Sequence, residues 1–210
     1  MSVTNKDIRL NILNRLIREP EMVDYTIIKS GSEIIKRDAL GKYSISIIDS
    51  YTSVDIRRDN ELSLIVHPAF TRRFDLLEKW FEKCFCKQDK RDFKYRYSIS
   101  WRPDCKSMEY RRGMYSVDFL RAKDTFEDDY QRLKTIILTQ GFPFLKEVET
   151  LEGMYKMAIK PVMEGVQSFP DGFEWAPRYL ALAKITHPEQ YEIIKESHCC
   201  PLKVVDVVNS

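Results

Sequence analysis

Glycine and histidine are scarce in this 210-residue sequence, with seven and three residues respectively, and both shortages narrow the chemistry open to it. The glycines are scattered and form neither G-x-G-x-x-G nor a Walker pattern, which excludes the standard loops whose backbone N–H groups cradle phosphates. No G-x-S-x-G elbow is present. Apolar runs reach only a few residues, far short of the roughly 20 needed to cross a bilayer. The opening MSVTNKDIRLNIL lacks an apolar stretch ahead of a small-residue cleavage site, so no secretory leader is expected there. Five cysteines in that setting read as reduced thiols of a cytosolic protein, not as a disulfide framework. Repeats and low-complexity segments are absent.

The cysteines and histidines bear on metal and nucleophile chemistry. Cys84 and Cys86, with His198, Cys199 and Cys200, offer sulfur and nitrogen donors of the kind zinc takes. However, C-x-C and adjacent cysteines make poorer zinc knuckles than C-x-x-C pairs, and no metal or other cofactor is expected. A catalytic thiol needs a neighbouring base, here His67, His187 or His198. His67 and His187 each precede proline, where turn and capping roles are common, and His198 is a chain neighbour of Cys199 that need not face it. The pair Asp128-Asp129 reads as charge at a helix N-terminus, not as an acid and a base.

What the sequence has in quantity is alternation and charge. Phe93 to Trp101, FKYRYSISW, alternates apolar and polar residues without exception, as a half-buried strand requires. Phe93, Tyr95, Tyr97, Ile99 and Trp101 are expected to form a core wall, with Lys94, Arg96, Ser98 and Ser100 facing away. Before it, Ile8, Ile12, Leu13, Leu16 and Ile17 recur at helical spacing behind a Thr4 or Asn5 cap, and Pro20 closes that helix. Val23–Lys29 and Glu33–Arg37 read as strands about a Ser30-Gly31 turn. Tyr43, Ile45 and Ile47 form another, continued by Val54 and Ile56. After an Arg58-Asp59-Asn60 turn comes Leu62, Leu64 and Val66, ending at His67-Pro68. Phe74, Leu77, Trp80 or Phe81, and Cys84 stripe a second helix, with Glu78 and Glu82 placed off the stripe. Tyr115, Val117 and Phe119 supply a last strand.

From Asp124 the pattern is helical. Phe126, Tyr130, Leu133 and Ile137 form one stripe that Gly141-Phe142-Pro143 should break. Thr150 can cap a helix through Leu151, Met154 and Met157 to Pro161, and a connector follows from Val162 to Trp175. Pro177 opens a helix with Tyr179, Leu180, Leu182 and Ala183. His187-Pro188 starts the last, with Tyr191, Ile193 and Ile194, ahead of a strand-like KVVDVVNS tail. The expected class is α+β: an antiparallel β-meander with helices packed on one face, and a mainly helical C-terminal region. Residues 1–123 form the sheet unit and 124–210 the helical region, packed as one domain.

The net charge of +2 is unevenly spread. Residues 1–56 balance, residues 57–123 carry 17 Lys/Arg against 10 Asp/Glu, and residues 124–210 carry 9 against 14. Arg72, Arg73, Lys94, Arg96, Arg102, Arg111 and Arg112 in the basic third are the candidate partner-binding surface, suited to an acidic partner. A basic sheet face with aromatics could also track nucleic acid, although alternation sends Tyr95 and Tyr97 to the face opposite Arg96.

PFLKEVETL at Pro143–Leu151 with Met154-Tyr155, and the later YLALAKITHPEQYEIIKE, follow a layout of helix, meander, amphipathic helix and helical tail. That layout resembles small uncharacterised bacterial α+β families, some of them suspected immunity proteins. The resemblance implies neutralisation of a toxin by binding and carries no catalytic residue across. The expected function is therefore a non-catalytic cytosolic binding protein, immunity-like, that holds a protein partner through charged surface and has no membrane association. The alternatives are a nucleic-acid-binding module using the basic third and an enzyme using Cys–His chemistry.

Overall fold

The computed structural model describes residues 5–28, 31–50, 63–85, 97–101, 117–120, 126–164 and 175–197. The class is α+β, with an open antiparallel sheet followed by a mostly helical C-terminal region. Among the described residues no helix is long and apolar enough to cross a membrane. The predicted features at Ser30, Val54, Ile56, Arg58–Asn60, Leu62, Phe93–Arg96 and Tyr115 lie outside the described residues, as do most of the 162–175 connector and the tail.

Helix α1 (Asn5–Leu16) buries Ile8, Ile12, Leu13 and Leu16, the stripe its spacing predicts, and a 3-10 turn at Pro20–Met22 follows it. Strand β1 (Thr26–Ile27) pairs antiparallel with β2 (Glu33–Asp38), Thr26 opposite Ile35 and Ile27 opposite Ile34. Strand β3 (Gly41–Ser50) buries Tyr43, Ile45 and Ile47, again as alternation predicts. Strands β4 (Ser63–Phe74), β5 (Ile99–Trp101) and β6 (Val117–Leu120) complete a six-stranded sheet ordered β1-β2-β3-β4-β5, with β6 also on β4.

Strand β4 overturns the expected stop at His67-Pro68, since it runs on to Phe74. Residues 68–72 are all buried, so the period-two signal vanishes where the strand is covered on both faces. Proline cannot donate to a ladder, and Pro68 lies beyond the stretch of β4 that pairs with β6. Val66 is the last β4 residue in register with β6, and the Arg72 carbonyl accepts from the Ser98 N–H.

Helix α2 (Asp75–Phe85) follows β4 directly. After β6 come α3 (Phe126–Ile136), a π-helical turn (Ile137–Gly141), α4 (Phe142–Glu147), α5 (Leu151–Ala158), α6 (Lys160–Met163), α7 (Trp175–Thr186) and α8 (Pro188–Ser197). The expected break at 141–143 is not a break. The Phe142 N–H donates to the Ile137 carbonyl, a one-residue widening that carries the helix past Pro143. In an unbroken α-helix the Pro143 ring would collide with the preceding turn. Thr150 caps α5, its Oγ accepting from the Gly153 N–H at 3.0 Å, as predicted. Pro161 sits inside α6 instead of ending the segment. Ile193, placed by spacing on the buried stripe of α8, is 54% exposed, and Tyr191 and Ile194 carry that stripe.

The chain forms two compact units whose segments interleave. The first comprises Met1–Arg37, Tyr43–Thr71 and Ser100–Leu145. In it the Arg15 guanidinium lies 3.9 Å from the Tyr130 ring centroid and pairs with Glu127. Glu19 accepts from Lys134 and from the Tyr130 hydroxyl. Those two hydrogen bonds hold the Glu19 carboxyl below the usual carboxylate range, while burial and then Glu19 push the Tyr130 phenol up. Gly141 lies against Phe70 so closely that an added Cβ would come within 2.0 Å of the ring.

Candidate functional site

The second unit comprises Asp38–Lys42, Arg72–Ile99 and Lys146–Ser210. Its site-like feature is the corner where β4 ends and α2 begins. The Asp75 N–H donates to the Leu40 carbonyl at 2.9 Å, and the Ser98 N–H donates to the Arg72 carbonyl at 2.8 Å. These bonds bring the β2–β3 turn and the start of β5 to the same end of β4. Gly41 permits the approach: its φ is +154°, and a Cβ there would lie 2.0 Å from the Arg73 carbonyl oxygen.

Six large apolar side chains among the described residues are exposed, and three of them belong to the segments joined here: Leu40 (45%), Leu76 (61%) and Tyr97 (36%). Arg73 lies among them, its Nε donating to Asp75 at 3.1 Å. Lys79, one helical turn beyond Leu76, is exposed, and Lys42 is half-buried next to Gly41.

Beneath the corner the polar groups are locked. Arg72 is fully buried and donates from Nη2 to both Asp38 oxygens at 3.0 and 2.8 Å, its guanidinium 4.5 Å from the Phe74 ring centroid. Asp38 also accepts from the Leu40 and Gly41 N–H groups. Burial works against the Asp38 carboxylate, but Arg72 and the two backbone donors outweigh it, and its carboxyl titrates below the usual aspartate range. Further in, Glu78 accepts from Arg178 Nε at 3.0 Å and Nη2 at 3.0 Å, and from the Ser98 hydroxyl at 2.9 Å. Ser98 in turn accepts from the Phe74 N–H at 2.9 Å. Arg178 stacks on Phe81, 3.9 Å from its centroid. Ser98, Glu78 and Arg178 are all buried.

This arrangement corrects three expectations. Ser98 faces inward and Tyr97 outward, the reverse of the alternation, because residues 97 and 98 precede β5 and the Ser98 hydroxyl is taken up by Phe74 and Glu78. Glu78 sits on the buried side of α2, where Arg178 of α7 neutralises it. Arg72 is no part of an exposed basic surface, because its charge is consumed by Asp38 inside the unit. Arg73 is at the corner; Lys94, Arg96, Arg102, Arg111 and Arg112 lie outside the described residues. Tyr97 falls in a pattern that reads as buried, and the sequence does not single out Leu40 or Leu76, Leu76 lying off the stripe of Phe74, Leu77 and Cys84.

The cysteine and histidine candidates do not assemble in the described residues. His67 falls in β4 and Cys84 in α2, while Cys86, His198, Cys199 and Cys200 lie outside the described set. His187 sits between carboxylates, Nε2 2.9 Å from Glu152 and Nδ1 3.3 Å from Glu189, with its ring 4.0 Å from that of Tyr155. It joins the start of α8 to α5, a turn role consistent with the proline after it. Among the described residues no group of three or more His, Cys, Asp or Glu side chains could hold a metal ion. Asp129 in the first turn of α3 is buried and lies 3.7 Å from Arg132. No protein-family model, no curated protein and no solved structure matches this chain.

Proposed function

We propose that this chain is a non-catalytic binding protein of the bacterial cytosol that holds a protein partner through charged surface, in the manner of an immunity protein. The observation that carries the reading is the corner at the end of β4. Leu40, Leu76 and Tyr97 stand exposed beside Arg73, above ion pairs that fix the backbone beneath them. Such a surface is built to stay in one shape, which lowers the ordering cost of association. Apolar side chains supply contact area, and the surrounding charge supplies selectivity and association rate. The two ion pairs beneath the corner, Asp38–Arg72 and Glu78–Arg178, are supports of the fold and serve no reaction in this reading.

The test is affinity capture with the tagged full-length chain from lysate of the source cell, with and without nuclease, read by mass spectrometry. One protein recovered in near-equal amount and unaffected by nuclease is the expected result. Recovery of many nucleic-acid-associated proteins that nuclease abolishes would overturn the reading in favour of a nucleic-acid-binding module. Recovery of nothing above background would overturn it in favour of a small-molecule function.

A further inference from the structure

We infer that His187 is an acid-tightened clasp: once protonated, its ring binds Glu152 of α5 and Glu189 of α8 together and holds the α7–α8 turn on α5 more firmly than the neutral ring does. The inference concerns the second unit alone and stands apart from the protein-binding reading above. The backbone fixes where the ring goes. The His187 N–H donates to the Ala183 carbonyl at 2.7 Å, its carbonyl accepts from the Gln190 N–H at 2.9 Å, and Pro188 follows. Helices α5 and α8 each pack against α7. Each ring nitrogen then faces a carboxylate, Nε2 at 2.9 Å from Glu152 and Nδ1 at 3.3 Å from Glu189. A neutral imidazole carries one N–H, so one of its nitrogens must point a lone pair at a carboxylate, whereas the imidazolium donates from both. The Tyr155 ring lies 4.0 Å from the imidazole at an interplanar angle of 34°, and an aromatic ring in contact also favours a cation. Two lysines complete the surroundings. Lys156 of α5 shares Glu152 at 3.3 Å, and Lys184 of α7 lies 5.4 Å from the Tyr191 ring centroid. Among the described residues Glu189 pairs with no cation except His187.

Burial works against the Glu152 carboxylate, but His187 and then Lys156 outweigh it, and its carboxyl titrates below the usual glutamate range. The stability it contributes is therefore present above about pH 4.5 and is lost only as pH falls through the lower folded value. An ordinary imidazole gains its proton near about pH 6.5, so about pH 5.5 lies inside the window for both charges and about pH 8 lies outside it. The three side chains are 27%, 43% and 66% exposed for His187, Glu152 and Glu189, so solvent screening keeps the effect modest.

The experiment compares thermal unfolding of the full-length chain with that of His187→Gln at about pH 5.5 and about pH 8, followed by far-ultraviolet circular dichroism. Glutamine keeps a side-chain donor and leaves the two backbone hydrogen bonds of position 187 in place. His67, His198 and every carboxylate are common to both proteins, so a pH-dependent change in their difference belongs to the ring. The expected result is that the unsubstituted chain gains about 1–3 °C on the variant as pH falls between those values, the range for part-exposed ion pairs in a chain of this size. Glu152→Gln, a substitution near the surface, should remove most of that gain while keeping the ring. The same pH dependence in His187→Gln as in the unsubstituted chain overturns the inference. So does a chain that loses ground on the variant at the lower pH, or a gain that persists in full in Glu152→Gln. Should His187→Gln not fold, Glu152→Gln and Glu189→Gln carry the test. Each should then fall further below the unsubstituted chain at the lower pH than at the higher, and an equal deficit at both overturns the inference.

Discussion

Glu78 and Arg178 are 100 residues apart in the chain and form the most buried ion pair described, with side chains 0% and 2% exposed. Replacing Glu78 with leucine strands the Arg178 guanidinium without an anion, which costs about 3–5 kcal/mol for a broken buried pair. It also takes the acceptor from the Ser98 hydroxyl, adding about 1 kcal/mol. The expected loss is therefore about 4–6 kcal/mol, a large share of the roughly 5–15 kcal/mol that holds a domain folded. Arg178→Met strands Glu78 instead, although Ser98 still donates to it, so its loss falls nearer 3–4 kcal/mol. The double variant Glu78→Leu plus Arg178→Met leaves no charge buried and should recover most of the loss. It should stand at least about 2 kcal/mol above the sum of the single effects. Urea unfolding at equilibrium, followed by far-ultraviolet circular dichroism, reads all of these. Single losses below about 1 kcal/mol that simply add in the double variant would refute the idea that this pair supports the second unit.

Other outcomes follow from the same geometry. Gly141→Ala drives a methyl into the Phe70 ring and should cost about 1–3 kcal/mol, partly recovered by Phe70→Leu; an unchanged melting temperature would contradict the close contact. Gly41→Ala should cost more, since its Cβ meets the Arg73 backbone oxygen, which cannot rotate away, and its φ of +154° is strained for a side chain. Asp38 titrates lower in the folded chain than in the unfolded chain, so the unfolded state binds more protons at acid pH. The stability it contributes is present above about pH 4, the usual aspartate range, and is lost as pH falls through the lower folded value. Asp38→Asn should therefore flatten the acid limb of stability against pH, and an identical limb in the variant would deny the Arg72 pairing. The charge reversal Arg72→Glu should abolish soluble expression instead of merely weakening binding, because the residue is buried against Asp38.

The elements were legible where one face is buried and the other is wet. Ile8, Ile12, Leu13 and Leu16 marked α1, Tyr43, Ile45 and Ile47 marked β3, and Thr150 announced the cap of α5. Legibility failed where burial is two-sided or polar. The second half of β4 is covered on both faces and so lost its alternation at Pro68. Glu78, Ser98 and Arg178 are buried because of one another, and no local spacing can declare a partner 100 residues away. The candidate site was half visible for the same reason. Arg72 and Arg73 share a charge and adjacent positions, but opposite directions on β4 give one to the interior and the other to the corner. Tyr97 shows the converse: an aromatic in an alternating run reads as core, yet the fold leaves it exposed.

The π-helical turn at Ile137–Gly141 amounts to a one-residue insertion frozen into a helix. Each residue of an α-helix advances the face by about 100°, so everything after Gly141 is set in a different phase from α3. Buried positions continue on both sides of it: Tyr130, Leu133, Ile136 and Ile137 come before, and Gly141, Phe144, Leu145 and Val148 follow. Deleting a single residue, Thr139 or Gln140, would restore an ordinary helical hydrogen-bond ladder. It would also press the Pro143 ring into the turn before it. The length of this helix is therefore fixed to the residue, and point substitutions along its exposed face should be far better tolerated than any change in count.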